Sequence, residues 1–309
     1  MRIYIAGING MVGSSVAIEA NNQGHTVLGK SSKVVDFRNR DAVLAEMKSE
    51  SPDALIIAAA KVGGIGANLS KPVEFLSENL QIQTNLIDAA HISQIKKVIF
   101  LGSSTVYPKI TSQPITESAI MTGVLDSAVE SYGIAKIAGI RLIQSYRLQY
   151  GWDWTSVVLS NLYGPRDNFE SASSNVLPGL MARMHSARIS NASNVTIWGD
   201  GTPLREFLYV EDLARAIMVL IGSKSLPALL NIGSSTEISI GDLAIMLADT
   251  VQFKGDITFD TDRPNGTPRK LLDSSLIRSF GWHPRVNLKD GIRSTYEWFI
   301  ESEKGVKSP

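Results

Sequence analysis

The chain contains no cysteine. Disulfides, thiolate zinc ligands, thiol nucleophiles and thiol acid/base groups are therefore excluded. An excess of charge of either sign is also missing, because 30 Lys and Arg balance 30 Asp and Glu. Bulk charge gives no reason to expect nucleic acid as a partner, and an anionic ligand has to be met by local cations. No metal site is expected. No run of about 18 apolar residues occurs, so no membrane span is expected. The first residues enter a strand pattern at once, so no signal peptide is expected and the default is a soluble cytoplasmic protein.

What is present is ample apolar material: 309 residues, 44% hydrophobic, with 25 glycines, enough for one large domain or two interlocked ones. Residues 3–6, 26–28, 54–58, 97–101 and 155–159 read as strands apolar on both faces, and amphipathic helical stretches separate them. Such strands need cover on both sides, which predicts an α/β fold, a doubly wound parallel sheet. After residue 161 the rhythm changes. An irregular stretch (166–174), a helix (175–190), a strand and helix (207–210, 211–221), strands at 229–234 and 257–260, and helices near 240–250, 274–280 and 288–300 predict a smaller mixed α/β C-terminal part. The expected division is 1-165 with a return segment at about 205-225, against 166-204 and 226-309, with a cleft between.

Gly7, Gly10 and Gly13 follow the first strand and open a helix. Without β-carbons the backbone of such a turn can approach a pyrophosphate, and the N–H groups of the helix, those of Met11 and Val12 among them, face its charge. The competing reading is a tight turn that only packs helix on sheet. After the second strand come Lys30, Ser31, Ser32 and Lys33, with no carboxylate to bind a ribose 2′-hydroxyl; cations and hydroxyls suit a 2′-phosphate, so NADP(H) is expected rather than NAD. A merely solvated loop is the alternative. Asp36 falls near the expected adenine edge.

Tyr132 and Lys136 are four residues apart, on one face of a helix. Ser103 leaves a strand at its carboxyl end, where open α/β sheets place ligands. Together a Ser hydroxyl, a Tyr phenol and a Lys ammonium can move a proton on and off a carbonyl or alcohol oxygen. The unperturbed phenol titrates near about 10, and a neighbouring cation is expected to bring it toward working pH. The plainer alternatives are a strand-end hydroxyl that caps backbone and a half-buried aromatic.

The glycine turn with Ser103, Tyr132 and Lys136 resembles the extended short-chain dehydrogenase/reductases, of Rossmann fold. Longer segments narrow the resemblance to the GDP-L-fucose synthase family: residues 58–65, 101–104, 134–139, 161–165, 198–207 and 266–273, in a match running from residue 3 to about residue 300. The resemblance implies an NADPH-dependent enzyme, a C₂ homodimer, acting on a GDP-linked 4-keto-6-deoxy sugar. It implies Ser103, Tyr132 and Lys136 as the reductase triad. Ala58, Ala60, Asn161, Leu162 and Gly164 would border the cofactor, while Ser104, Thr105, Asn175, Arg183, Trp198, Arg205 and Lys270 would lie along the nucleotide-sugar.

The chain also departs from that family. Members that make fucose first invert the two carbons flanking the ketone, using a Cys two residues after the Ser and a His just before a Val-x-Pro segment. Those positions are Thr105 and Asn175 here. Inversion needs an acid and a base with pKa values near the operating pH, and neither a Thr hydroxyl nor an amide provides one. The expectation is a 4-ketoreductase of a hexose or heptose with the C3/C5 epimerase activity lost. The alternatives are a bifunctional epimerase/reductase using other groups, and a non-catalytic NADP(H)-sensing protein.

Overall fold

A computed structural model describes residues 1–170, 173–263 and 265–306. Residues 171 and 172, inside the expected irregular stretch, lie outside the described residues. In chain order the elements are β1 (Arg2–Ala6), α1 (Met11–Asn22), β2 (Thr26–Leu28), α2 (Arg40–Glu50), β3 (Ala54–Ile57), α3 (Ile65–Ser70), α4 (Pro72–Ile92), β4 (Lys97–Leu101), α5 (Glu130–Tyr150), β5 (Thr155–Leu159), β6 (Asn161–Tyr163), α6 (Val176–Ile189), β7 (Asn194–Trp198), β8 (Leu204–Tyr209), α7 (Val210–Gly222), β9 (Leu229–Ile232), β10 (Glu237–Ser239), α8 (Ile240–Val251), β11 (Asp256–Asp260), β12 (Arg269–Lys270), α9 (Ser275–Ser279) and α10 (Leu288–Val306).

Six strands form one parallel sheet in the order β2-β1-β3-β4-β5-β9. Side-chain alternation divides each strand between two cores. Ile3, Ile5, Ile56 and Ile99 pack on one face with Val16 of α1 and Leu213 and Ile217 of α7. Tyr4, Leu55, Ile57 and Phe100 pack on the other with Val43, Leu86, Ile140 and Ile143 of α2, α4 and α5. Each such fully buried aliphatic chain contributes roughly 1.5–3 kcal/mol, so the sheet is the rigid part on which a site can be built. Because β2 and β3 lie on opposite sides of β1, the chain reverses direction there, and a crevice opens at the strand carboxyl ends. Among the described residues no helix is long and apolar enough to cross a membrane.

The smaller part centres on β8, which pairs with β6, β10 and β12, and on the parallel pair β7–β11. Leu177, Met181, Val195, Ile197, Leu243, Ile292 and Phe299 make its core.

The division expected from the sequence needs correction here. The strand placed in the 226-309 segment ends at Ile232 and is the edge strand of the large sheet, beside β5; Ile277 of α9 and Trp282 join the same core. Leu230 and Ile232 are fully buried, so after the α7 crossover this strand can only continue the parallel sheet. The strand expected at 207–210 starts earlier, at Leu204, because Arg205 and Glu206 are paired although polar.

Candidate active site

A cleft of about 1120 Å³ follows the carboxyl ends of the strands. At the end of the cleft beside β1 and α1, Gly7 has φ +90°, and a Cβ there would stand 2.8 Å from the Ala59 nitrogen. A Cβ on Gly13 would fall 2.1 Å from the Gly7 carbonyl oxygen, so these glycines let the turn, the helix and β3 close on one another. Gly10 occupies the N-cap of α1 with no side-chain cap, and no acidic residue stands in the first turn. The positive end of the helix and its N–H groups therefore meet the cleft without a resident carboxylate, as a pyrophosphate requires. Met11, Val12, Ala58 and Ala60 line the same space, with Asn161 and Leu162 further along; Gly164 stands back from it, its missing side chain filled by Val210.

Lys30, Lys33 and Asp36 line the part of the cleft beyond β2. Lys30 is 3.4 Å from Glu50, a partly exposed pair that a phosphate can compete with. Arg38, which the sequence reading passed over, lines it too: its guanidinium grips Asp36 at 2.9 and 2.8 Å and holds that carboxyl below the usual carboxylate range. A cation two residues beyond the expected adenine contact was the available signal. The residues present thus fit a nucleotide carrying a 2′-phosphate.

Ser103 leaves β4 and its Oγ accepts the Thr105 N–H at 3.3 Å. Tyr132 and Lys136 stand one turn apart on α5, which lies close on β4 because a Cβ on Gly139 would meet the Phe100 ring at 2.4 Å. Lys136 is buried, its Nζ donating to the Leu101 carbonyl at 2.9 Å and lying 5.8 Å from the Tyr132 ring centre. Tyr132 keeps part of its ring surface open to the cleft but is densely surrounded. Burial pushes the phenol above its ordinary value and pushes Lys136 down to about 7. The expectation that the cation lowers the phenol is corrected: desolvation dominates both groups, so the phenol keeps its proton.

Ser104, Thr105, Asn175, Arg205 and Lys270 lie along the same cleft. The Thr105 hydroxyl is buried and has no hydrogen-bond partner among the described residues; Asn175 is exposed at the N-cap of α6. Two expected substrate residues stand elsewhere. Arg183 donates to the Thr196 carbonyl in a separate depression, and Trp198 is 61% exposed with the Arg263 guanidinium 5.1 Å from its ring centre. Conversely, Asp126, Asp167 and Thr267 line the cleft without having been singled out. Asp167, pushed up to about 7 by burial, follows β6 in the cleft wall, and nothing in its loop sequence marks a desolvated carboxyl.

Residues 3–233 match the NAD dependent epimerase/dehydratase family. The chain is 48% identical over 302 residues to a putative GDP-L-fucose synthase 2 of Arabidopsis thaliana, covering 97% of this chain and 92% of the relative. It is 42% identical over 312 residues to a GDP-L-fucose synthase of Escherichia coli K12, covering 98% and 97%. Among solved structures it is similar to a GDP-6-OMe-4-keto-L-xylo-heptose reductase from C. jejuni, with TM-score 0.91, 32% identity and coverage of 97% and 98%. A GDP-mannoheptose C4 reductase from Campylobacter jejuni with NADP bound matches with TM-score 0.86, 33% identity and coverage of 97% and 98%. Fold, cleft and the length of these matches place the chain in the NAD dependent epimerase/dehydratase family and, within it, in the GDP-L-fucose synthase family of extended short-chain dehydrogenase/reductases.

Proposed function

We propose that the protein is an NADPH-dependent 4-ketoreductase acting on a GDP-linked 6-deoxy-4-keto hexose or heptose, without C3/C5 epimerisation. The observation that carries this is one cleft holding Ser103, Tyr132 and Lys136 beside Thr105 and Asn175. The reducing machinery is complete, and the two positions that would invert carbons cannot titrate. The names of the heptose and C4 reductases support reduction, and the NADP-bound relative supports the cofactor.

NADPH, when bound, supplies the hydride. The chain's residues do the rest. Tyr132, kept protonated by burial, donates to the oxygen on carbon 4; the Ser103 hydroxyl hydrogen-bonds that oxygen and orients the ketone. Lys136, enclosed beneath the phenol, gains its charge when an anionic or hydroxyl-rich partner offsets desolvation. The N-terminus of α1 holds the pyrophosphate, Lys30, Lys33 and Arg38 the 2′-phosphate, and Arg205 and Lys270 the sugar-bearing diphosphate. A mere sensor of NADP(H) needs no enclosed triad.

The GDP-L-fucose synthases among the relatives favour the bifunctional alternative. Incubation in deuterated water with NADP⁺ and a GDP-4-keto-6-deoxy sugar separates the two. Carbons 3 and 5 should exchange no faster than in buffer, and Thr105→Cys with Asn175→His should restore part of the exchange. Rapid deuterium uptake by the unmodified protein would establish the bifunctional reading. Assembly is proposed as a C₂ homodimer through α4 and α5. Phe75, Ile87, Ile140 and Ile143 are consumed by the protomer's own core, which leaves Val73, Ile134 and Leu148 exposed for a partner; a monomer mass in light scattering would refute it.

A further inference from the structure

Arg205 of β8 and Lys270 of β12 are direct partners in the register of two parallel strands, so the cleft wall carries two cations side by side. Burial, and then the Arg205 charge, push Lys270 down to about 8. A diphosphate site whose lysine loses its proton near working pH would forfeit half of its charge.

One carboxylate faces this pair. Asp126, in the loop ahead of α5, lines the same cleft and lies within electrostatic reach of both cations. Its Oδ2 accepts the Thr267 hydroxyl at 2.8 Å, and its Oδ1 accepts the Ala128 N–H at 3.2 Å and stands 3.9 Å from the Lys109 ammonium. Burial pushes this carboxyl up, but those hydrogen bonds and the Lys109 and Lys270 charges outweigh it and hold it below its ordinary value. Asp126 is therefore charged at any working pH. The neighbouring Arg269 is turned to Glu237 of β10, at 2.9 Å, and does not serve the pair. The charges acting on Lys270 are thus Arg205 on β8 and Asp126 on the loop ahead of α5, with Lys109 beside Asp126 on that loop, and Thr267 is the polar link on its own segment.

A carboxylate in a site for a doubly charged diphosphate would by itself weaken binding. Its place between Thr267 and the two cations gives it another use. We propose that Asp126 is a positioning residue for the nucleotide diphosphate: it is the resident counter-ion that keeps Lys270 charged beside Arg205, and through Thr267 it fixes the 266–270 segment against the nucleotide-binding part. This rests on the GDP-sugar reading. The ligand it serves is a nucleoside diphosphate, and the carboxylate acts on Lys270 rather than on the ligand.

The test compares GDP binding by the wild type, Asp126→Asn and Asp126→Ala at pH 6.5 and 8.5 by calorimetry, with NADPH binding as the check on folding. Asn removes the charge and keeps a hydrogen bond at each position: its oxygen accepts the Ala128 N–H, and its amide nitrogen donates to the Thr267 hydroxyl in place of the bond that hydroxyl now donates. Loss of a neighbouring carboxylate lowers a lysine's proton affinity, by about tenfold where the two charges lie within about 4–6 Å. Starting from a pKa of about 8, GDP affinity in Asp126→Asn should fall about five- to tenfold at pH 8.5 and less than about twofold at pH 6.5. Asp126→Ala should lose more at both pH values, because the Thr267 link goes as well. NADPH affinity should stay unchanged in both. Equal losses at the two pH values in Asp126→Asn would reduce the residue to scaffolding, and tighter GDP binding would make it a simple repulsive charge; either result overturns the proposal while leaving the GDP-sugar reading intact. A wild type that binds NADPH but not GDP would overturn both.

Discussion

Gly13→Ala tests whether the glycine turn is a phosphate cradle or only a packing device. The added Cβ would lie 2.1 Å from the Gly7 carbonyl oxygen, 2.7 Å from the Gly7 carbonyl carbon and 2.8 Å from the Ile8 Cα. All three are backbone atoms, and no side chain can swing away. Restoring ordinary contact needs a separation of about 3.5 Å, so the turn and the start of α1 must part by about 1.4 Å. Overpacking of this kind costs about 1–3 kcal/mol, which for a chain of this size lowers Tm by several degrees. The same displacement takes the N–H groups at the start of α1 out of hydrogen-bond range of a pyrophosphate. Losing one charge-assisted bond, about 1.5–3 kcal/mol, should weaken NADPH binding roughly ten- to a hundredfold. Fluorescence titration with NADPH and thermal unfolding of the apo protein measure the two effects separately. A lowered Tm with unchanged NADPH affinity would refute the cradle and leave only packing; no change in either would refute the geometry itself.

Lys30, Lys33 and Arg38 at the adenosine end should favour NADPH over NADH by at least about tenfold in kcat/KM, about 1.4 kcal/mol; equal efficiency in steady-state assays would count against them as the 2′-phosphate site. Tyr132→Phe should lower turnover by roughly 10²-fold or more while NADPH affinity is retained, and near-normal single-turnover rates would remove the phenol from its role as acid. Lys136 titrates near 7 in the folded protein and near about 10.4 unfolded, so the folded apo state binds fewer protons between those values, and its destabilisation is full below pH 7 and fades as pH rises toward 10. Lys136→Met should therefore raise the apo Tm by a few degrees at pH 6.5, net of the lost Leu101 hydrogen bond, and leave it nearly unchanged at pH 9.5 while abolishing turnover; a gain that is equal at both pH values would contradict the buried-charge account.

Local pattern by itself determined the strands of the large sheet. Residues 26–28, 97–101 and 155–159 form strands with the predicted ends, because apolar runs this short and bounded by polar turns have no other way to be covered on both faces. That amphipathic helices separate the strands was legible for the same reason, and so were the glycine turn and the spacing of Tyr132 and Lys136, since both are properties of a few consecutive residues. Partnership across long separations was not legible. Nothing local shows that β9 returns to the large sheet, that Arg205 pairs with Lys270 in register, or that Asp126 reaches Thr267 across 141 positions. Nor could sequence rank desolvation against a neighbouring cation at Tyr132: whether a phenol beside a lysine is lowered or raised depends on how much water both have lost, and only the packing of α5 onto β4, with Phe100 filling the space where Gly139 has no side chain, decides that.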